Sequence, residues 1–270
     1  MDSIYNFLYP IDFIVVGSYL LILLGLGFWV SFVKKRKINE NLFLAGHSLS
    51  WSKIGFTMWG TNVGPSMLVA SSSIGFSTGI VTGNFSFLAF PFIFLLAFVF
   101  APRYLSAKIT TLPEFLGQRF GANTRNLLAW YTSITILIFW LSLTLFAGGI
   151  LVAQILNISL FWAVIILVSI SAFFTIAGGL AAVAFTNVFQ MILLIIVSMT
   201  LTILGLHKAG GLASVFQNTP SEYWNLFLPY DDPNYPWLAL ILGYPVLGIW
   251  FWCSDQSIVQ SVLGAKSLSH

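Results

Sequence analysis

Gly60-Thr61-Asn62-Val63-Gly64-Pro65-Ser66 lies near the middle of an apolar run covering residues 51–74. Glycine and proline together loosen a helical ladder, and Pro65 removes one amide donor outright. Three polar side chains, Thr61, Asn62 and Ser66, would then sit at hydrocarbon depth. Backbone carbonyls freed in this way cannot face lipid; they are tolerated where they are buried or line a wet cavity. In secondary transporters such carbonyls coordinate Na⁺, and half-helix N-termini point at the substrate.

The rest of the chain supports a membrane setting. Its 270 residues are 58% hydrophobic and 7% charged, against roughly 25% charged in a soluble domain. So apolar a chain cannot cover a water-facing surface, which excludes a soluble enzyme, a disulfide scaffold and a disordered tail. The single Cys253 has no partner for an internal disulfide. A net charge of +3 is too small to suggest a nucleic-acid partner. Seven apolar runs are expected as helices, at about 13–33, 51–74, 84–101, 126–154, 160–177, 182–206 and 237–253, all within one transmembrane domain over 1–270. A helix of about 20 residues crosses a bilayer core. Barrel strands would instead alternate polar and apolar residues.

With the N-terminus outside, Lys34, Lys35, Arg36, Lys37, Lys53, Arg103, Lys108, Arg119, Arg125 and Lys266 fall inside, and Lys208 alone falls outside. The acids Asp2, Asp12, Glu222, Asp231 and Asp232 fall outside. This is the positive-inside pattern of a multi-pass protein of the plasma or inner membrane.

The seventh run carries Gly243-Tyr244-Pro245 and then Gly248, a second proline flanked by glycines. Interrupted spans at corresponding places in two halves point to a transporter site. Four uninterrupted spans separate these two, which suits a five-helix repeat whose first member is broken. The segment 254–270 reads as a short polar tail.

Four stretches carry a resemblance. Phe43-Leu44-Ala45-Gly46-His47-Ser48-Leu49 precedes the broken run. Thr111-Leu112-Pro113-Glu114-Phe115-Leu116-Gly117-Gln118-Arg119-Phe120-Gly121 fills a polar loop. Ala177-Gly178-Gly179-Leu180-Ala181-Ala182-Val183 leads to Thr186-Asn187-Val188-Phe189-Gln190. Trp252-Cys253-Ser254-Asp255-Gln256-Ser257-Ile258-Val259-Gln260 follows the seventh run. In this order they resemble the sodium/solute symporters, in particular the sodium/glucose cotransporter-like branch, over the N-terminal part of the family's length.

The resemblance implies an all-α integral membrane protein of the LeuT-type fold, incomplete: a leading helix, the first five-helix repeat and the first helix of the inverted second repeat. It implies Na⁺-driven alternating access, with Na⁺ as the coupling ion on the backbone carbonyls of Gly60 and Val63. Substrate contacts would come from Asn62, Met67, Ser86 and Gly248, and Phe251 would be an aromatic inner gate. Sugar carriers tend to have polar side chains at the places of Met67 and Gly248. Asn187 stands where many members have Asp. The expected solute is a small organic molecule, most readily a sugar; another solute, such as an amino acid, carboxylate or vitamin, and a non-transporting truncated membrane protein are the alternatives. Because the repeat pair needs roughly ten core helices, the chain is expected to be truncated at its C-terminus.

Other polar residues suggest less. Asp255 invites an inner-gating role or a pairing with Lys266, and Glu114 with Arg119 a salt bridge, although exposed pairs contribute little. Asp231-Asp232 has no His nearby, so no metal other than Na⁺ is expected. No Ser/His/Asp or Cys/His arrangement falls at one membrane depth, which argues against an enzyme.

Overall fold

The computed structural model describes residues 4–34 and 43–270; Asp2, Lys35, Arg36 and Lys37 of the charge pattern lie outside the described residues. Helix α1, Pro10–Phe28, starts with a proline in its first turn, where a missing amide hydrogen costs nothing. Asp12 in that turn accepts a hydrogen bond from the Tyr9 amide at 2.8 Å. The helix is apolar on all faces and continues into a π-helical turn, Trp29–Lys34.

The run 51–74 forms two helices, α2 (Trp51–Asn62) and α3 (Pro65–Thr78). Val63 (φ −92°, ψ 89°) and Gly64 (φ −105°, ψ 169°) between them are not helical. A 3₁₀ turn, Gly79–Thr82, leads to α4, Gly83–Leu95. Gly79 has φ +77°, and a Cβ there would lie 2.2 Å from the Tyr223 carbonyl oxygen. Glycine is thus required both by the backbone and by the close approach of the 221–224 turn.

A π turn, Leu96–Phe100, joins α4 to α5, Ala101–Ser106. Next come α6, Leu112–Phe120, and α7, Ala122–Thr135, which runs through a π turn, Ile136–Leu141, into α8, Ser142–Leu156. Helix α9, Leu160–Lys208, contains one non-helical residue, Gly179 (φ 58°, ψ −156°). The expected runs 160–177 and 182–206 therefore meet at one glycine hinge with no loop. After α10 (Leu212–Asn218) and a 3₁₀ turn, Ser221–Trp224, α11 covers Trp237–Gly248. A π turn, Ile249–Cys253, follows, and then α12, Gln256–Leu263. Among the described residues there is no strand; two isolated bridges join Leu49 to Ala265 and Leu228 to Pro236.

Helices Pro10–Phe28, Ala70–Ser106, Ala122–Leu156 and Gly179–Lys208 are each long and apolar enough to cross a membrane. Trp237–Cys253 with Gln256–Leu263, bent by 45°, makes a fifth, and Leu160–Phe173 is a shorter apolar helix. Only 6% of the apolar window of Ala122–Leu156 is buried inside the protein. A helix apolar on every face and this exposed suits lipid or neighbouring helices, not water.

Two expectations about the C-terminal region need correction. The chain does not break at Gly243-Tyr244-Pro245: α11 runs through Pro245 and continues as a π turn to Cys253. An interior proline removes one amide donor and bends the helix, but neighbouring helices in a bundle can hold it together. The helix ends instead at Ser254 (φ −137°, ψ 2°), where Asp255 opens the next one. Nor is 254–270 simply a polar tail, because α12 buries Ile258, Val259, Ser261, Val262 and Leu263.

The buried core lies where the four motif stretches meet. Leu44, Ala45 and Leu49 pack in one cluster with Leu112, with Ala181 and Ala182, and with Cys253, Ile258 and Val259. Backbone bonds tie this end together: Leu49 N donates to Gly264 O at 3.1 Å, and Lys266 N donates to Leu49 O at 3.0 Å. Gly264 leaves room for this pairing, since a Cβ there would sit 2.9 Å from Leu49 Cδ1.

Candidate functional site

The α2–α3 break is built by local chemistry. The last helical carbonyls of α2 have no continuing ladder to pair with, and Pro65 N carries no hydrogen. Val63 N donates to Trp59 O at 3.0 Å, and the next ladder bond, Leu68 N to Gly64 O at 3.1 Å, already belongs to α3. The carbonyls of Gly60 to Val63 thus fall between two ladders. The Asn62 side chain is partly used: its Nδ2 donates to Met58 O at 2.7 Å, leaving its Oδ1 to accept.

A cavity of about 550 Å³ adjoins this break. Asn62, Val63, Met67, Ser86, Gly248 and Phe251 all line it. The structure thus gathers residues from α2, α3, α4 and the α11 segment around one space. A second cavity of about 380 Å³ lies on the other side, lined by Gly60, Val63, Gly64, Tyr19 and Gln190 among others. Gly60 does not line the larger cavity; Val63 lines both. The break is therefore the partition between two spaces.

The Asn187 side chain sits against Gly60: a Cβ added to Gly60 would be 3.1 Å from Asn187 Cγ. One turn further along α9, Gln190 Nε2 donates to the Tyr19 hydroxyl at 3.1 Å and so ties α9 to α1.

Half of the residues lining the larger cavity are aromatic. Sequence reasoning missed Trp59, Phe85, Trp140, Tyr244, Trp250 and Trp252 in its wall. Helical spacing carried a signal for some of them, because Tyr244 lies one turn before Gly248 and two turns before Trp252. Trp140 and Phe251 approach with ring centroids 6.3 Å apart. Gly248 contributes backbone and space alone: a Cβ there would fall 2.6 Å from the Phe92 ring. The Tyr244 hydroxyl donates to Phe85 O at 2.9 Å, and Trp252 Nε1 donates to the Tyr244 hydroxyl at 3.4 Å.

Residues around the second bend have structural partners. Tyr104 donates its hydroxyl to Cys253 O at 2.8 Å. Asp255 Oδ1 accepts from Ser257 N at 2.9 Å, so its carboxylate caps α12. Leu112 N donates to Gln256 Oε1 at 2.8 Å, which joins the second motif stretch to the fourth. Glu114 does not pair with Arg119: its Oε2 accepts from Thr110 N at 2.8 Å ahead of α6, while the Arg119 guanidinium lies 5.3 Å from the Phe120 ring centroid. A carboxylate at a helix N-terminus satisfies amides that have no partner in the ladder, and this local bond wins over a solvated ion pair.

A family model described as the Sodium:solute symporter family matches residues 42–270. Sodium/glucose cotransporter 1 of Ovis aries is 33% identical over 282 residues, covering 96% of this chain and 42% of the relative. Sodium/myo-inositol cotransporter 2 of Oryctolagus cuniculus is 31% identical over 279 residues, covering 97% of this chain and 41% of the relative. The chain thus spans about 42% of the length of such curated relatives. A solved structure described as the substrate-bound outward-open state of a Na⁺-coupled sialic acid symporter matches with a TM-score of 0.83 at 19% identity. It covers 97% of this chain and 56% of that chain. This likeness establishes the fold, an all-helical membrane arrangement of the LeuT type. The 42–270 match overlaps all four motif stretches and the whole α2–α3 break, and the chain belongs to the sodium:solute symporter family.

Proposed function

We propose that the chain serves Na⁺-coupled symport of a small organic solute, with a sugar as the leading class, by alternating access. The observation that carries this reading is the partition at Val63. Backbone carbonyls of Gly60 and Val63 bind Na⁺, while Asn62, Met67, Ser86 and Gly248 face the solute from the larger cavity and Phe251 closes its inner end. Val63 borders both spaces, so an ion that fixes its carbonyl also fixes the solute-facing wall. Such a linkage is reciprocal and typically worth about 1–3 kcal/mol. The aromatic lining suits the C–H faces of a sugar ring, with Asn62 and Ser86 available for its hydroxyls. The chain sits in the plasma or inner membrane with seven spans and its N-terminus outside. The sodium/glucose and sodium/myo-inositol cotransporters among the relatives are named for polyhydroxylated rings, which favours that class over amino acids.

Four tryptophans line the larger cavity, Trp59, Trp140, Trp250 and Trp252, and they supply the test. The full chain in lipid vesicles is titrated with glucose and with myo-inositol, in Na⁺ and in choline. A saturable change in tryptophan emission is expected in Na⁺, with the affinity falling about 5- to 150-fold in choline. A response indifferent to the cation would sink the coupling, and no response to either polyol would sink the sugar assignment.

A further inference from the structure

A third space, of about 240 Å³, lies beside the larger cavity. Asn234, Tyr235 and Pro236 of the loop before α11 line it, together with Ala239 and Gly243. It shares Phe85, Tyr244 and Leu247 with the larger cavity. The shared wall is held by hydrogen bonds: Tyr244 donates to Phe85 O, and Trp252 Nε1 donates to Tyr244. The Phe85 and Phe92 rings flank the Tyr244 ring, each with its centroid 5.7 Å away. Tyr244 thus ties α11 to α4 by its polar tip while its ring is packed on both sides.

We infer that the smaller space is a vestibule for the solute and that Tyr244 is the positioning residue that latches the wall between vestibule and cavity. This rests on the larger cavity being the solute site proposed above. A polar tip in an apolar wall can let go of a carbonyl and take a solute hydroxyl in exchange, because the phenol both donates and accepts. The latch therefore opens at low cost to a hydroxylated solute and stays shut to an apolar one. A phenylalanine in its place would keep the ring packing and lose both bonds.

The test uses a cysteine introduced as Ser86→Cys in the cavity wall. The native Cys253 is fully buried, so it adds little background. A membrane-impermeant thiosulfonate is applied from the side bearing the 219–236 loop, and its labelling rate is read in Na⁺. Ser221→Cys, exposed at the start of the 3₁₀ turn outside the spans, serves as the reference site. Adding Tyr244→Phe should raise the Ser86→Cys rate by about five- to tenfold, the size of one or two lost hydrogen bonds, and leave the reference rate unchanged. Adding Ala239→Trp, which fills the vestibule and keeps Tyr244, should lower the rate by at least about fivefold, as expected for blocking the route with a bulky ring. A rate within about twofold of the parent's in the Tyr244→Phe background would overturn the latch, since a lost hydrogen bond should exceed that. An unchanged rate with Ala239→Trp would overturn the vestibule as the route, and decides the matter if the Tyr244 variant does not reach the membrane. Because Ser86 is itself a proposed solute contact, the sugar reading is decided by the tryptophan titration of the parent chain, while the labelling rates decide the latch and the vestibule.

Discussion

The break between α2 and α3 and the bend between α11 and α12 interrupt apolar helices in different ways. At the first, Val63 and Gly64 leave the helix between two cavities, and the chain satisfies the loosened carbonyls only in part. At the second, Cys253 O accepts from Tyr104, Asp255 caps Ser257 N, and Gln256 accepts from Leu112 N. Cys253 and Ile258 are 0% exposed there. An unpaired polar group away from water costs several kcal/mol, so the carbonyls at the first break depend on what fills the flanking cavities, water or an ion, whereas the groups named at the second have partners within the protein. A helix break in a membrane protein is thus a binding feature when its polar groups face a cavity and a packing feature when its neighbours fill it.

The largest expected effect comes from placing a carboxylate at each break. Ile258→Asp buries an unpaired charge in the packed end of the bundle and should cost at least about 3–5 kcal/mol, read as loss of the folded protein in detergent by thermal unfolding. Met67→Asp, at a residue 44% exposed on the cavity wall, should leave the unfolding transition within a few degrees and alter the cation dependence of glucose binding instead. Equal destabilisation by both would erase the distinction between the two breaks.

The next effect in size tests whether the first break is needed for the ion. Pro65→Ala restores an amide hydrogen at the first residue of α3 and removes a residue that disfavours a helix interior by about 3 kcal/mol relative to alanine. Part of that is not recovered, because proline at the first position of α3 is already well tolerated, and Gly64 still favours a break. The expected result is stability within about 1 kcal/mol of the parent and a fall of about tenfold in apparent Na⁺ affinity, measured from the Na⁺ dependence of the tryptophan signal; a tenfold change corresponds to about 1.4 kcal/mol. Unchanged Na⁺ affinity would show that the ion does not depend on these carbonyls.

Much of this contrast was legible in the sequence, and the physical reason is chain-local chemistry. Gly60 to Ser66 favours a break, because Pro65 lacks an amide hydrogen and Gly64 tolerates extended backbone. The apolar runs and the single non-helical residue at Gly179 follow from the same kind of information. Sequence placed Asn62, Val63, Met67, Ser86, Gly248 and Phe251 near a site, and they do line one cavity. Gly60 lines the other cavity together with Val63, its neighbour one turn on along the same face, and Val63 alone of the two reaches the larger cavity as well. The second break was misplaced because a proline inside a helix looks the same in sequence whether or not neighbours hold the helix together. Helix α12 was missed because Asp255, Gln256, Ser257, Gln260 and Ser261 make its segment look polar. Its buried pairs, Ile258-Val259 and Val262-Leu263, recur at a spacing of four, the mark of one apolar helical face. Tyr244 escaped notice because its partner, Phe85 O, is 159 residues away along the chain.

The smallest effect concerns the capping of the second bend. Asp255→Ala removes an acceptor for Ser257 N and should destabilise the folded state by about 1 kcal/mol, within the 0.5–2 kcal/mol span for lost caps. Asp255→Asn keeps an oxygen in the same place and should retain most of that stability, because asparagine caps about as well as aspartate. If the carboxylate instead worked as a charged inner gate, the order would change: Asn and Ala would be equally impaired in transport-linked measurements, and their unfolding would be alike. The comparison of these two variants by thermal unfolding and by the Na⁺-dependent tryptophan signal therefore separates a cap from a gate. A cap predicts that the Asn variant tracks the parent in both measurements, as a bend held by bonds within the protein requires.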